Sequence, residues 1–144
     1  MSSGSSTHRP IGIIVIVVGA LMILAGIWSF ATVSTTLNAE RITVSEDACL
    51  GGRTVVDPLT AYCQAGIIAT HALEATGGKT YAELDREDPL RQVAMNGSFL
   101  RASLFTSVVA FGVSVMGVGV GLVFILLGYV VTSLPVRRPM SSSG

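Results

Sequence analysis

Residues 11–31 read IGIIVIVVGALMILAGIWSFA, a run without a single charged side chain. The run is part of an uncharged stretch of 30 residues between Arg9 and Glu40, and a second stretch of 35 residues separates Arg101 from Arg137. A helix needs about 20 mostly apolar residues to cross the hydrocarbon core of a bilayer. Both stretches are longer than that, so the sequence predicts a mainly helical membrane protein with two transmembrane helices.

The two predicted spans differ in length. At 1.5 Å per residue, residues 11–31 cover about 31 Å, whereas the apolar residues 104–134 cover about 46 Å, more than the roughly 30 Å of a bilayer core. The second helix must therefore tilt or extend beyond the hydrocarbon. The predicted organisation is a tail, a first span, a central domain, a second span and a second tail, at residues 1–10, 11–36, 37–100, 101–134 and 135–144.

The charged residues predict how the chain is oriented. All nine acidic residues and six of the nine basic ones lie between the spans, which gives this segment a net charge of −3, while the tails carry three arginines and no acid. Positively charged flanks stay on the cytoplasmic side. We therefore expect a plasma-membrane protein with both termini cytoplasmic and an extracytoplasmic central domain. The partner that this predicts is the lipid bilayer, and nothing in the charge pattern indicates nucleic acid.

A cleaved signal peptide is the alternative interpretation of the first apolar run, because a basic residue precedes it and small residues follow it. Signal peptides have an apolar core of about 7–15 residues, and this run is longer. A cleaved chain would keep one span and the same outer domain.

Cys49 and Cys63 lie in the central segment with thirteen residues between them. Thiols outside the cytoplasm usually form disulfides, and a disulfide closing a loop of this size contributes about 3 kcal/mol in the chain-entropy model. A redox pair would more typically show the C-x-x-C spacing. A metal site would need two more ligands, for which the segment offers only His71 and carboxylates. We predict a structural disulfide.

One helix of the central domain has clear boundaries in the sequence. Asp57-Pro58 combines an N-cap with a first-turn proline, and Gly77-Gly78 ends the pattern about five turns later. The preceding segment is harder to interpret. Residues 41–44 alternate like a strand and residues 54–56 could pair with them, although a two-stranded hairpin is marginal alone.

Two further helix starts are predicted before the second span. Thr80 and Glu83 have the spacing of a capping box, which predicts a short helix from Tyr81. Asp88-Pro89 repeats the cap-and-proline signal, and the helix that begins there could continue into the second span. Asn96-Gly97 is a possible break in it.

Small residues recur every seven positions in both spans. In lipid, helices associate through close backbone approach at such residues, and a seven-residue period keeps them on one side of a left-handed pair. We predict an antiparallel hairpin. In the alternatives, glycine is simply common in membrane helices, or one face contacts another subunit or a second copy. The predicted packing residues are Gly12, Gly19, Gly26, Ser114, Gly121 and Gly128.

His71 and Glu74 are one turn apart on the predicted central helix, which makes them the candidates for acid/base or metal chemistry. No serine, cysteine or second histidine has a recognisable partner spacing. We favour a solvated or capping histidine as the explanation of this pair. The sequence thus predicts no catalytic residue, no metal ligand and no cofactor.

Residues 70–114 read THALEATGGKTYAELDREDPLRQVAMNGSFLRASLFTSVVAFGVS. This stretch resembles a group of small two-span actinobacterial membrane proteins, many of which are named aromatic ring-opening dioxygenases. The resemblance is most specific over residues 75–109 and extends less distinctly to both spans. It implies the same topology, an envelope location and a high-GC Gram-positive source.

The enzyme name can be compared with the residues present. Ring-opening iron sites use two histidines with a carboxylate, or two tyrosines with two histidines. The chain has only His8 and His71, which the predicted topology places on opposite sides of the membrane, and Tyr129 is likewise separated from Tyr62 and Tyr81.

We therefore expect a non-catalytic accessory or scaffold subunit of a cell-envelope complex. The alternatives are an iron-dependent ring-opening dioxygenase and an extracytoplasmic ligand-binding sensor component. An enzyme predicts a concave pocket around His71, whereas an accessory subunit predicts an exposed apolar or small-residue face.

Overall fold

Three helices make up most of the computed structural model, which describes residues 8–134. Helix α1 spans His8–Ala39, α2 spans Pro58–Ala75 and α3 spans Leu90–Ser133. Both α1 and α3 are long and apolar enough to cross a membrane. This confirms a mainly helical chain with two apolar helices of sufficient length. Most of the first predicted tail and all of the second, residues 135–144, lie outside the described residues.

The chain divides into two compact units. The first, which we call the glycine-paired unit, consists of the described residues up to Ile27 and from Met116 onwards. The second, which we call the disulfide-held unit, is Trp28–Val115. Each unit contains part of α1 and part of α3.

Backbone contact at glycines holds the helices of the glycine-paired unit together. A Cβ atom on Gly19 would lie 2.6 Å from the carbonyl oxygen of Gly121, and one on Gly128 would lie 2.6 Å from that of Gly12. Real Cβ atoms do not approach an oxygen so closely, so these positions require glycine. Gly26 lies near Gly117, where a Cβ would be 3.9 Å from the Gly26 Cα. The contacts therefore run in opposite directions along α1 and α3.

Apolar side chains from all three helices and the α1–α2 connection form the core of the disulfide-held unit. Phe111 is 1% exposed, and its ring centroid lies 4.7 Å from that of Phe30. The Ser114 hydroxyl is buried and lies 2.9 Å from the Ser29 hydroxyl oxygen, so this residue packs on a serine instead of a glycine. The most buried members of the core are Leu37, Val44, Val55, Ala61, Ala65, Leu104 and Phe111.

The α1–α2 connection is attached to α2 by a disulfide. Cys49 and Cys63 have sulfur atoms 2.04 Å apart and Cα atoms 5.3 Å apart, as the sequence predicts. Within the connection, a single antiparallel bridge pairs Thr43 with Thr54, and no strand forms among residues 8–134. The pairing expected between residues 41–44 and 54–56 is therefore present as this one bridge. The Ser45 amide also donates to the buried Gln64 side chain of α2 at 2.9 Å.

Helix α2 begins and ends where the sequence indicates. The Asp57 carboxylate accepts hydrogen bonds from the amides of Leu59 at 2.9 Å and Thr60 at 3.0 Å, and the Thr60 hydroxyl accepts one from the Asp57 amide. At the other end, Gly77 and Gly78 have φ values of 64° and 85°, a left-handed conformation that glycine adopts without strain.

Two predictions about the following segment are wrong. Residues 81–84 form turns and no helix starts at Tyr81, although the Glu83 carboxylate does accept a hydrogen bond from the Thr80 amide at 2.8 Å. Leu84, at the end of this turn, is buried and 4% exposed. There is also no break at Asn96-Gly97, since α3 continues through it. A Cβ on Gly97 would lie 2.6 Å from the Ala72 Cβ, so this glycine allows α3 to approach α2.

Several hydroxyls in α1 and α3 are bonded within their own helix. Each donates to a carbonyl three or four residues earlier, which leaves no donor in need of an outside partner. The residues are Thr32, Thr35, Thr36, Thr106, Ser107, Thr132 and Ser133.

Candidate functional site

The histidine singled out in the sequence pairs with a residue from another segment. His71 Nε2 lies 2.7 Å from Asp47 Oδ2, and both side chains are about half exposed, 48% and 58%. The hydrogen bond from His71 lowers the pKa of the Asp47 carboxyl. Glu74, the candidate partner one turn away, is not the residue that His71 contacts. Sequence spacing could not identify Asp47, because it is 24 residues away and in a different element.

The described residues offer little to a metal ion. Between residues 8 and 134, no three His, Cys, Asp or Glu side chains form a group that could hold one. His71 also lines none of the three surface grooves of the disulfide-held unit described below.

The first groove lies beside the disulfide. It has a volume of about 350 Å³ and is lined by Cys49, Cys63, Tyr62, Arg101 and Phe105, among others. The Tyr62 ring meets the Phe105 ring edge-on at 5.9 Å between centroids. The Arg101 guanidinium lies 5.3 Å from the centroid of the same Phe105 ring.

The second groove lies between α1 and α3 and has a volume of about 490 Å³. Apolar side chains such as Leu37, Phe99 and Leu104 line most of it. The hydroxyls that reach it include those of Thr32 and Thr36, which are bonded to their own helix. The groove therefore offers an apolar wall with few free polar groups.

The third groove, which we call the basic pocket, lies between the end of α2 and the first turns of α3. It has a volume of about 120 Å³. Its polar lining is Lys79, Thr80, Tyr81, Ser98 and Arg101, and its apolar lining is mostly alanine. Lys79 and Arg101 are 22 positions apart in the sequence, so their proximity gave no local signal.

One face of α2 carries apolar side chains that stay largely exposed, although Tyr62 contacts the Phe105 ring and Leu73 lines the third groove. Leu59 is 68% exposed, Tyr62 57% and Leu73 39%. A Cβ on Gly66 would meet no atom within 4 Å. These four residues follow one another at intervals of three, four and seven, so they lie on one side of the helix. We call them the exposed α2 face.

A second uncovered surface lies on α3. Cβ atoms on Gly112 and Gly119 would meet no atom within 4 Å, in contrast to those on Gly121 and Gly128. Two small residues one heptad apart therefore face away from the described contacts.

Comparison with known proteins provides no relative for this chain. No protein-family model matches it, no curated protein matches it, and no solved structure matches it.

Proposed function

We propose that this chain is a non-catalytic integral membrane protein that serves as an accessory or scaffold subunit of a cell-envelope complex. In this proposal α1 and α3 cross the bilayer as an antiparallel hairpin, with both termini cytoplasmic and residues 37–100 outside. The opposite order of the glycine contacts along the two helices supports the hairpin. The arginines at positions 9, 137 and 138, which flank the two apolar stretches, support the orientation.

The observation that carries the proposal is the exposed α2 face. Contiguous apolar side chains on the surface of a folded unit mark protein or membrane contacts. Leu59 and Tyr62 occupy adjacent turns of this face, and Gly66 lets another backbone approach closely. A partner subunit that covers this face removes apolar surface from water, which is the main driving force of such association.

The open glycines of α3 support a partner within the bilayer as well. Small residues permit the close helix contacts that stabilise association in lipid, where the hydrophobic effect does not operate between helices. Gly112 and Gly119 are free for such a contact, whereas Gly19 and Gly121 are occupied by each other.

A catalytic role is less well supported by the same residues. His71 is paired with Asp47 on the surface, and the second histidine, His8, lies at the start of α1. In the proposed topology these two residues are on opposite sides of the membrane. The resemblance of residues 70–114 to small two-span membrane proteins therefore supports the topology and not the ring-opening chemistry in their name.

The experiment is mild-detergent purification of the tagged protein at its native level, with mass spectrometry and an iron assay on the same sample. We expect stoichiometric co-purification of other membrane subunits without iron. Leu59→Asn should reduce their recovery, because it replaces the most exposed apolar side chain of the contact, 68% exposed, with a polar amide. Glu74→Gln changes an exposed polar residue of the same helix and is the matched control.

Two results would contradict the proposal. One is a lone protein that carries an equimolar amount of iron. The other is equal recovery of partners by wild type and Leu59→Asn, with formation of the Cys49–Cys63 bond on a non-reducing gel showing that the variant has folded.

A further inference from the structure

The basic pocket is built from three segments held in place by contacts outside it. Ala69, Ala72 and Leu73 of α2 form one wall, Ala94, Gly97, Ser98 and Arg101 of α3 form another, and residues 79–81 form the third. A Cβ on Gly97 would lie 2.6 Å from the Ala72 Cβ, so glycine at this position allows the two walls to approach each other. Most of the side chains that α2 and α3 contribute to the lining are small.

The turn after α2 fixes the third wall. The Gly78 amide donates to the Leu73 carbonyl at 2.7 Å, and the buried Thr76 hydroxyl contacts the carbonyls of both Ala72 and Lys79. With Gly77 and Gly78 in the left-handed conformation, the chain reverses and brings Lys79 back beside α2. The position of the Lys79 backbone is therefore set by hydrogen bonds to backbone carbonyls, which leave the Lys79 ammonium group unused.

The Tyr81 ring is in contact with Arg91, which does not line the pocket. The Arg91 guanidinium lies 4.1 Å from the centroid of the Tyr81 ring and donates a hydrogen bond to the carbonyl of Leu84. Arg91 thus supports this wall. Lys79 and Arg101 line the pocket, and the Arg101 guanidinium also lies over the Phe105 ring of the first groove.

The charge of the lining is unbalanced. It contains two cations and no carboxylate. Across residues 8–134 the ion pair found is His71 with Asp47, so neither Lys79 nor Arg101 has a carboxylate at salt-bridge distance. Ser98, Thr80 and Tyr81 add hydroxyl groups around the two charges. Cations gathered with hydroxyls in a small concave site favour a multiply charged anion.

The nearest acid is Glu83, which is not part of the lining. Its carboxylate accepts hydrogen bonds from the amide and hydroxyl of Thr80, both at 2.8 Å. These bonds lower the pKa of Glu83, and the positive charge of Lys79 lowers it further. Glu83 is thus a competitor for Lys79 at the edge of the pocket, and its removal should strengthen anion binding.

We propose that the basic pocket binds the phosphate group of a small soluble phosphate monoester. Lys79 and Arg101 contact the phosphate oxygens, the Ser98 hydroxyl donates to one of them, and the alanine floor contacts the short carbon body of the alcohol. The site goes beyond the accessory role proposed above and depends on the disulfide-held unit alone. It would make this unit a ligand-responsive part of the assembly.

The test is calorimetric titration of the purified full chain, in detergent and in nanodiscs, with inorganic phosphate and with glycerol 3-phosphate. Both should bind saturably, and the ester should bind more tightly because its carbon body contacts the alanine floor. Lys79→Gln and Arg101→Gln should each weaken binding about tenfold, since each removes a charge-assisted hydrogen bond. Arg86→Gln removes one exposed positive charge outside the pocket and should leave binding unchanged. Glu83→Gln should tighten it.

Three results would overturn the proposal. The first is no saturable binding of either probe to wild type. The second is an equal loss of affinity in Arg86→Gln and Arg101→Gln. The third is binding of a phosphate group only when phosphatidic acid in the nanodisc supplies it. Retention of the Cys49–Cys63 bond and of helical circular dichroism shows that each variant is folded. Because these titrations use the isolated chain, their outcome is independent of whether a partner complex is recovered.

Discussion

The glycine-paired unit and the disulfide-held unit pack α1 against α3 through different contacts. In the first, α1 and α3 meet backbone to backbone, with Gly19 against Gly121. In the second, the same two helices are separated by large side chains such as Phe30 and Phe111, and a covalent bond is added. Burial of apolar volume stabilises a unit in water, whereas close fit is what remains available to helices in lipid. The change of contact does not coincide with the predicted ends of the spans, because Phe30 and Phe111 both lie within residues 11–36 and 101–134. The two helices therefore change their mode of packing within their apolar stretches.

The largest loss of stability should come from removing a buried side chain from the core of the disulfide-held unit. Phe111→Ala removes a ring that is 1% exposed and leaves a cavity, which should lower the free energy of unfolding of this unit by about 3–5 kcal/mol. Phe99→Ala is the control, because Phe99 is 73% exposed. Hydrogen exchange measured by mass spectrometry should show faster exchange in α2 for Phe111→Ala alone. Equal effects of the two variants would mean that this core does not stabilise the unit.

Loss of the disulfide should come next. Replacing Cys49 and Cys63 by serine should lower the free energy of unfolding by about 3 kcal/mol, through the greater freedom of the unfolded chain. Limited proteolysis should then cut the α1–α2 connection. Reductant should have the same effect on wild type and none on the variant. Hydrogen exchange around Gly19 should not change, and a change there would show that the two units unfold together.

A smaller effect is expected for one added methyl group in the glycine-paired unit. Gly121→Ala places a Cβ 2.6 Å from the Gly19 carbonyl oxygen, so the helices must separate, at a cost of about 1–3 kcal/mol. Gly119→Ala adds the same methyl group to open space and should be neutral. Reversible unfolding in mixtures of mild detergent and sodium dodecyl sulfate measures both. Equal free energies of unfolding for Gly121→Ala and Gly119→Ala would mean that close backbone contact does not stabilise the pair of α1 and α3.

The smallest effect concerns a surface pair that links two segments of the disulfide-held unit. The His71 hydrogen bond lowers the pKa of Asp47 below its ordinary 3.8, so the stabilisation is present above that pH and is lost as the pH falls through the lowered pKa. An NMR titration of Asp47 should have a midpoint below 3.8, and His71→Gln should raise it. The Glu83 pKa, lowered by Thr80, should not respond to His71→Gln. An unchanged Asp47 midpoint in the variant would mean that the pair does not form in solution.

Features encoded by neighbouring residues were predictable from the sequence. The cap at Asp57, the end of α2 at Gly77-Gly78 and the two long apolar helices are local patterns, and the structure has each of them. The seven-residue period of the glycines is also visible without knowledge of the partner helix, which is why the sequence predicts them as packing positions.

Features that depend on distant residues were not predictable. The hydrogen bond from the Thr80 amide to the Glu83 carboxylate forms, but no helix follows it, and the next residue, Leu84, is buried. The dipeptide Asn96-Gly97 has the sequence of a helix break. The reason for a glycine within α3 is its contact with Ala72 of α2, which the neighbouring residues do not indicate. The basic pocket is a further case, because its two cations come from segments that the fold of α2 against α3 brings together.

The hydroxyls bonded within their own helices have a consequence for where the chain sits in a bilayer. Thr32, Thr35 and Thr36 on α1, with Thr106 and Ser107 on α3, can enter hydrocarbon without exposing an unpaired donor. Bilayers differ in thickness by several ångströms, and the mismatch costs only a fraction of a kcal/mol per ångström. In the proposed topology, a shift along the membrane normal by about one helical turn, roughly 5.4 Å, would therefore leave none of these hydroxyls without a hydrogen-bond partner.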